Sequence, residues 1–387
     1  MKYESLTLAK GKEKALQRKH PWIFSGAFKQ LPDLVDGTPV EIFDSKGSFC
    51  AFGFYKKGSI AVSVLSFVPV TNFEEWLQTQ LQEAIDYRHR LGLLSQDNTN
   101  AGRLVFAEGD NLSGLIIDFY GDTAVIQAHH PGWLTHLNLI AKLVTALPSI
   151  NNVYSKPASK LAAADEHMGC LVGKATSGAI LENGHQFWVN WEEGQKTGFF
   201  LDQRVNRQKL GSYAKGKSVL NTFSYSGGFS IYALQNGATK AVSVDSSEKA
   251  IELARKNTEL NQCADRHEAV VSDVFDYLKM EGDNFDVIIL DPPAFAKNRR
   301  STHQAVQAYK RLNGAAFKQI KRGGLIFTFS CSQHIDSQLF ESSIRAAAIE
   351  SKRQIKIVER LGQPADHPIN IFQPEGEYLK GLILEVI

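Results

Sequence analysis

The first 70 residues alternate in the manner of short strands. Residues 38–43, 49–54 and 60–67 are β-branched and aromatic runs, and Gly37, Ser45 to Gly47 and Lys57-Gly58 punctuate them as turns. A helix over 72–91 follows, with Phe73, Trp76, Leu77, Leu81, Ile85 and Leu91 near helical spacing. Strands return at 103–107, 115–119 and 123–128. A helix over 133–147 is ended by Pro148, and further strands are expected at 152–154 and 185–189. The stretch 156–174 has poor periodicity and reads as a loop.

From about residue 195 strands and helices take turns. Strands are predicted at 218–223, 241–245, 268–273, 285–291 and 324–330, with helices at 229–236, 248–261, 274–280, 304–321 and 337–351. Strands near 355–359 and 379–386 complete the chain. Apolar strands alternating with helices imply an α/β fold whose parallel sheet is covered on both faces. Ligands of such sheets bind beyond the carboxyl ends of the strands. The expected organisation is a β-rich module over 1–70, an α+β unit over 71–190 and an α/β domain over 191–387.

The length of 387 residues fits two or three domains, and 43% hydrophobic with 22% charged residues excludes a disordered or fibrous chain. The longest apolar run, 61–70, is half a membrane span and contains Ser63, Ser66 and Pro69. The opening MKYESLTLAK lacks the apolar core of a secretory signal, so a cytoplasmic location is expected. Cys50, Cys170, Cys263 and Cys331 form no CxxC pair, which argues against a zinc site or any other metal centre and against a disulfide framework. Residues 1–30 hold seven lysines and arginines against two glutamates, while the whole chain carries only +2. A basic end on a nearly neutral protein points to a polyanion partner, although a solvated lysine-rich surface explains the charge equally well.

The chemistry gathers at the strand ends. The first strand of the α/β region runs into Ser224-Tyr225-Ser226-Gly227-Gly228, and the second ends in Asp245. Glycines let the backbone approach a ligand, and the acid can take both hydroxyls of a ribose. The G-x-G-x-x-G of pyrophosphate binding is absent, which suits a nucleoside cofactor such as S-adenosylmethionine. Asp273, at the third strand end, could accept an adenine amino group or cap the following helix. The fourth strand stops at Asp291-Pro292-Pro293-Ala294-Phe295. The two prolines hold this segment extended, so a carboxylate able to take hydrogen bonds from a base stands beside an aromatic face able to stack on it. The fifth strand ends in Ser330-Cys331-Ser332, where a nucleophile is expected.

A cysteine and a carboxylate at one sheet edge fit a defined reaction. Thiolate addition to carbon 6 of a pyrimidine makes carbon 5 nucleophilic towards a sulfonium methyl group, and the carboxylate stabilises the developing charge. The base must be unpaired or flipped out.

These residues resemble the class I S-adenosylmethionine-dependent RNA (cytosine-5) methyltransferases of the ribosomal large-subunit methyltransferase I type. The resemblance runs through RKHPWIFSGA (18–27), GQKTGFFLDQR (194–204), VLNTFSYSGGF, VDSSEKAIELARKN, FDVIILDPPAF, FTFSCS, ADHP (365–368) and PEGEYLKG (374–381). It implies a PUA domain, a central α+β domain and a Rossmann-like catalytic domain, with S-adenosyl-L-methionine as cofactor and ribosomal RNA as partner. By the same resemblance Phe200, Asp202, Gln203, Tyr225, Ser226, Gly227, Asp245, Asp273 and Pro292 line the cofactor. Cys331 is the nucleophile, Asp291 faces the base, and Phe295, Arg18, Lys19 and Arg299 meet the RNA. Lys12 and His20 are further candidates for phosphate contact, as is the run Lys297 to Arg300. His367, Glu375 and Tyr378 are candidates for the base that removes the carbon 5 proton.

Family members carry a lysine where this chain has Ala294, and the central stretch 155–170 matches the family poorly. A homodimer is compatible with exposed edges of the β module. Three other readings remain. Asp-Pro-Pro-Ala-Phe also resembles the turn of enzymes that methylate exocyclic amino groups and need no cysteine. A non-catalytic RNA-binding protein could keep the same fold, and an NAD-dependent oxidoreductase ranks last for want of the pyrophosphate glycines.

Overall fold

Buried apolar side chains gather the chain into two compact units. One comprises residues 1–178, 189–199 and 365–376, the other residues 179–188, 200–364 and 377–387. The computed structural model describes all residues except 1–2, 95–96, 148, 159, 162–164 and 297. Pro148 therefore lies outside the described residues.

The first unit carries two five-stranded sheets. In the N-terminal sheet the strands run in the order Glu4–Thr7, Pro39–Phe43, Phe49–Tyr55, Ile60–Ser66 and Trp22–Phe24. The second sheet orders Gly169–Val172, Asn152–Ser155, Thr123–Ala128, Leu115–Tyr120 and Ala101–Phe106. The helix Phe73–Arg90 starts where Asn72 Oδ1 accepts the Glu74 N–H at 3.1 Å, with Glu74 and Glu75 in its first turn. Its Leu77 and Leu81 join Phe52, Phe54, Ile117, Ile126 and Trp133 in one buried cluster. Two enclosed ion pairs accompany this core, Arg88 with Asp110 and Arg103 with Asp118. Each is a two-pronged guanidinium–carboxylate contact that satisfies both partners.

The second unit is a seven-stranded sheet in the order His267–Val271, Lys240–Asp245, Ser218–Thr222, Val287–Leu290, Gly324–Ser330, Lys380–Val386 and Ile355–Gly362. The first five strands are mutually parallel. Strand order reverses between Ser218–Thr222 and Val287–Leu290, which opens the crevice where ligands of such sheets bind. Val287–Leu290 is buried throughout, as a strand covered on both faces must be. Among the described residues no helix is long and apolar enough to cross a membrane, and no group of three or more His, Cys, Asp or Glu could hold a metal ion.

The structure departs from the sequence expectation in particular places. Lys380–Val386 runs antiparallel to both its neighbours rather than extending a parallel sheet. Residues 363–379 join it to Ile355–Gly362 with a 3-10 turn at Pro374–Gly376 but no α-helix, as an antiparallel pair needs no crossover helix. The helix expected over 133–147 is a 3-10 turn at Pro131–His136 followed by helix Leu137–Val144. Gly132 within that turn lies so close to Phe54 that an added Cβ would sit 2.4 Å from its ring. Helix Arg204–Ala214 had no sequence signal because half of its buried residues are polar, with Arg204, Asn206 and Arg207 turned inward. Strands Glu4–Thr7, Trp22–Phe24, Gly169–Val172 and Gly178–Glu182 were also unforeseen, and Gly169–Val172 falls within the expected loop.

Candidate active site

The turn after Ser218–Thr222 is unusually contorted. Phe223 (φ 54°), Tyr225 (φ 44°) and Gly227 (φ 73°) all take left-handed backbone, which costs the two non-glycine residues energy and persists only where the surroundings enforce it. Helix Gly228–Gln235 begins immediately afterwards. Several groups hold this turn. Asp245 Oδ2 accepts the Tyr225 N–H at 3.1 Å, and Oδ1 accepts the Ser247 N–H at 2.9 Å. Asn257 Nδ2 donates to the Ser226 carbonyl at 2.9 Å, while its Oδ1 accepts the Trp188 N–H at 2.7 Å. The Phe200 ring meets Tyr225 edge-on at 5.2 Å, and Arg207 Nη1 donates to the Phe200 carbonyl at 3.0 Å. Arg207 is itself anchored by buried Glu182, 2.7 Å away.

A carboxylate has about four acceptor sites, so Asp245 keeps two for a ribose diol after serving its two backbone amides. The half-buried acid, the strained turn and the helix start together fit an adenosyl group. Asp273 is exposed and caps helix Val274–Glu281, its Oδ1 accepting from Phe275 N at 2.8 Å and Asp276 N at 3.2 Å. The capping role is thus realised, and it occupies one of the two oxygens.

The edge formed by the fourth and fifth strands brings a second set of groups together. Gln203 Nε2 donates to Asp291 Oδ2 at 3.0 Å, and Asn206 Nδ2 donates to Gln203 Oε1 at 2.6 Å. This chain of amides fixes the orientation of the carboxylate. The half-buried Cys331 thiol points at the carbonyl of Pro292, 3.7 Å away and one residue beyond Asp291. Pro292 is buried, and half-buried Phe295 packs against Tyr309 with ring centroids 4.8 Å apart. Asp202 is buried and accepts the Tyr378 hydroxyl at 2.6 Å.

Two titratable groups report the local electrostatics. Burial, first of all, pushes the Tyr309 hydroxyl well above its usual range, and the charges of Cys331 and Asp291 push it further. Burial likewise lowers the Lys380 ammonium to about 8, against the opposing pull of Glu377, Cys331 and Asp336. Both groups therefore sense the cysteine.

The cofactor candidates Phe200, Asp202, Gln203, Tyr225, Ser226, Gly227, Asp245, Asp273 and Pro292 all belong to the second unit, with Asp291, Phe295 and Cys331. Gln203 bonds to the acid expected to face the base. Arg18 and Lys19 belong to the first unit, where both are exposed. The Lys19 ammonium lies 5.9 Å from the Phe372 ring centroid. Arg299 is exposed on a short turn capped by Asn298, and Lys297 lies outside the described residues. Of the candidate proton acceptors, His367 is buried against Asp366 in the first unit, 2.8 Å apart, and Glu375 faces His20 at 3.5 Å in the same unit. Tyr378 is bound to Asp202. Sequence reading gave no role to Asn206, Asn257, Tyr309 or Lys380. Lys380 stands inside the quoted PEGEYLKG block, but nothing in a strand's alternation marks a lysine as buried.

A Rossmann-like sheet with a glycine turn after its first strand and an acid after its second fits an S-adenosylmethionine-dependent methyltransferase. The family described as "S-adenosylmethionine-dependent methyltransferase" matches residues 163–382, and a PUA-like domain matches residues 6–67. The chain is 37% identical to "Ribosomal RNA large subunit methyltransferase I" of Aeromonas hydrophila, covering 98% of each chain. It is 37% identical to the protein of that name from Escherichia coli, covering 99% of each. The crystal structure of SMU.776 complexed with SAH superimposes with a TM-score of 0.87 at 26% identity, covering 99% of this chain and 100% of that one. The chain belongs to the ribosomal RNA large subunit methyltransferase I family, and its cofactor is S-adenosylmethionine.

Proposed function

We propose that this protein methylates carbon 5 of a cytosine in large-subunit ribosomal RNA through a covalent adduct with Cys331. The observation that supports the reading is the Cys331 thiol, 3.7 Å from the carbonyl of Pro292, the residue that follows the amide-clamped Asp291. A flipped cytosine would be gripped from two sides, with Phe295 available to stack on its ring. The names of the full-length relatives support the RNA class, and the PUA-like domain supplies exposed Arg18 and Lys19 for phosphate contact.

In the proposed sequence the Cys331 thiolate adds to carbon 6, and the displaced electron pair makes carbon 5 nucleophilic. Bound S-adenosylmethionine supplies the methyl group and leaves as the neutral thioether. Asp291 accepts a hydrogen bond from the amino edge of the ring and orients it for the addition. Transfer of the carbon 5 proton to solvent water then restores the double bond and expels Cys331 as thiolate.

Mapping of methylated cytidines in ribosomal RNA, with and without the protein, tests the reading. A site lost with the protein and restored by the wild type but not by Cys331→Ala is the expected outcome. RNA containing 5-fluorocytidine should trap a covalent complex with the wild type, because the carbon 5 fluorine cannot leave as a proton does. Methylation that survives Cys331→Ala, found on an exocyclic nitrogen, would replace this reading with the cysteine-free one.

A further inference from the structure

Lys380 is 5% exposed, and both its hydrogen bonds go to neutral carbonyls. Nζ donates to Ser332 O at 2.8 Å and to Glu377 O at 3.4 Å. Burying an ammonium with no ion-pair partner among the described residues is costly, and a methionine would fill the same space without that cost. Strand register explains the placement: Lys380 pairs with Ser330 across the antiparallel edge, and its amine reaches the residue after Cys331. The cysteine is thus bracketed by Lys380's strand partner and its hydrogen-bond acceptor. Glu377 and Asp336 bear on the lysine together with Cys331, and Tyr309 senses both Cys331 and Asp291. Asp291 alone would disfavour a second negative charge beside it.

We propose that Lys380 is a positioning residue for the nucleophile: its ammonium, fixed behind Cys331 by the strand register, is the counter-charge that favours the thiolate beside Asp291. This rests on Cys331 acting as the nucleophile. The thiol proton leaves to solvent, the ammonium keeps its own, and the cation remains to receive the thiolate when the adduct breaks down. Burial holds the lysine at about 8, so it stays mostly charged at neutral pH and loses that charge in mildly alkaline solution. No ordinary surface lysine would do so.

The test is the pH dependence of iodoacetamide alkylation at Cys331, followed peptide by peptide by mass spectrometry in the whole protein. The wild-type midpoint should lie below the ordinary thiol value of about 8.5. Lys380→Met and Lys380→Gln should move the midpoint up by about one pH unit, and alkylation at pH 7 should slow about tenfold. Lys380→Arg should stay near the wild type. S-adenosylmethionine binding by calorimetry, expected within about twofold of the wild type, shows that each variant is folded. Methyl transfer by Lys380→Gln should fall about tenfold at pH 7 and recover towards pH 9 as the thiolate forms unaided, which a purely structural role would not produce. A wild-type midpoint at or above about 8.5, or one unmoved in the folded Met or Gln variant, overturns the role of Lys380 and leaves Cys331 as nucleophile untouched. Methylation that persists in Cys331→Ala overturns the nucleophile reading instead, whatever the alkylation profiles show.

Discussion

Gln203 Nε2 donates to Asp291 Oδ2 at 3.0 Å, which ties the entrance motif directly to the acid at the fourth strand end. Asn206 holds the far side of the same amide. Gln203→Leu removes a hydrogen bond to a charged acceptor, worth about 1.5–3 kcal/mol. Methyl transfer to RNA should therefore fall about tenfold to hundredfold. If Gln203 serves mainly to aim Asp291, the loss appears in kcat while the affinity for S-adenosylmethionine changes little. Transfer of tritiated methyl groups, with calorimetry of the cofactor, separates the two effects. A loss confined to cofactor affinity would return Gln203 to the cofactor-lining role expected from its motif.

Asp245 and Asp273 make distinguishable predictions. Asp245 holds two backbone amides around the contorted turn, so Asp245→Ala loses both the turn's anchor and the proposed ribose acceptor. Cofactor affinity should fall by about tenfold or more. Asp273→Ser keeps a good helix cap while removing the carboxylate. Unchanged thermal stability with affinity weakened about tenfold is expected if the second oxygen meets the adenine. Unchanged affinity would leave Asp273 with the cap alone.

Much of this arrangement was legible in the sequence, for physical reasons that also mark where it stopped being so. Ala241 to Val244 and Val287 to Leu290, apolar at successive positions apart from Ser243, announce strands buried on both faces, and the acids and cysteine that follow such strands fall at the edge where ligands bind. The prolines after Asp291 end their strand as expected. Helix Arg204–Ala214 was hidden because Arg204, Asn206 and Arg207 bury polar groups that are satisfied in large part by partners distant in sequence, Glu182 for the arginines and the Gly362 carbonyl for Asn206. The same reason conceals Lys380. Periodicity reports hydrophobic burial, whereas a buried polar side chain becomes visible only when its tertiary partners are known.

The exposed cations predict a salt signature. Arg18, Lys19 and Arg299 are exposed, and none has an ion-pair partner among the described residues. If each contacts a phosphate, its alanine variant should weaken RNA binding across sequences. It should also reduce the slope of log affinity against log salt by about 0.7 for a single-stranded contact and about 0.9 for a duplex one. Filter binding at several salt concentrations measures the slope. A variant with an unaltered slope identifies a side chain that stays in solvent.

Acid should weaken the fold before the carboxylates titrate. Burial is the main cause holding His130 and His267 down to about 4, with Lys56 and Arg255 respectively adding to it. His130 Nδ1 accepts the Gly132 N–H at 3.1 Å, and its ring stacks on Phe54 with centroids 5.6 Å apart, so protonation would break a cap inside a packed cluster. His267 lies between the hydroxyls of Ser243 and Thr258. Unfolded histidines take up protons near 6.5, whereas these two refuse them until about 4. Below 6.5 the unfolded chain therefore binds more protons than the folded one, and stability falls as pH falls. By pH 5 each histidine should have cost about 2 kcal/mol, while most carboxylates are still ionised. Urea unfolding midpoints should drop between pH 7 and pH 5, and His267→Gln should flatten the dependence of the unit that contains it. A midpoint that stays level to pH 5 in the wild type would mean that both rings accept protons without losing their places.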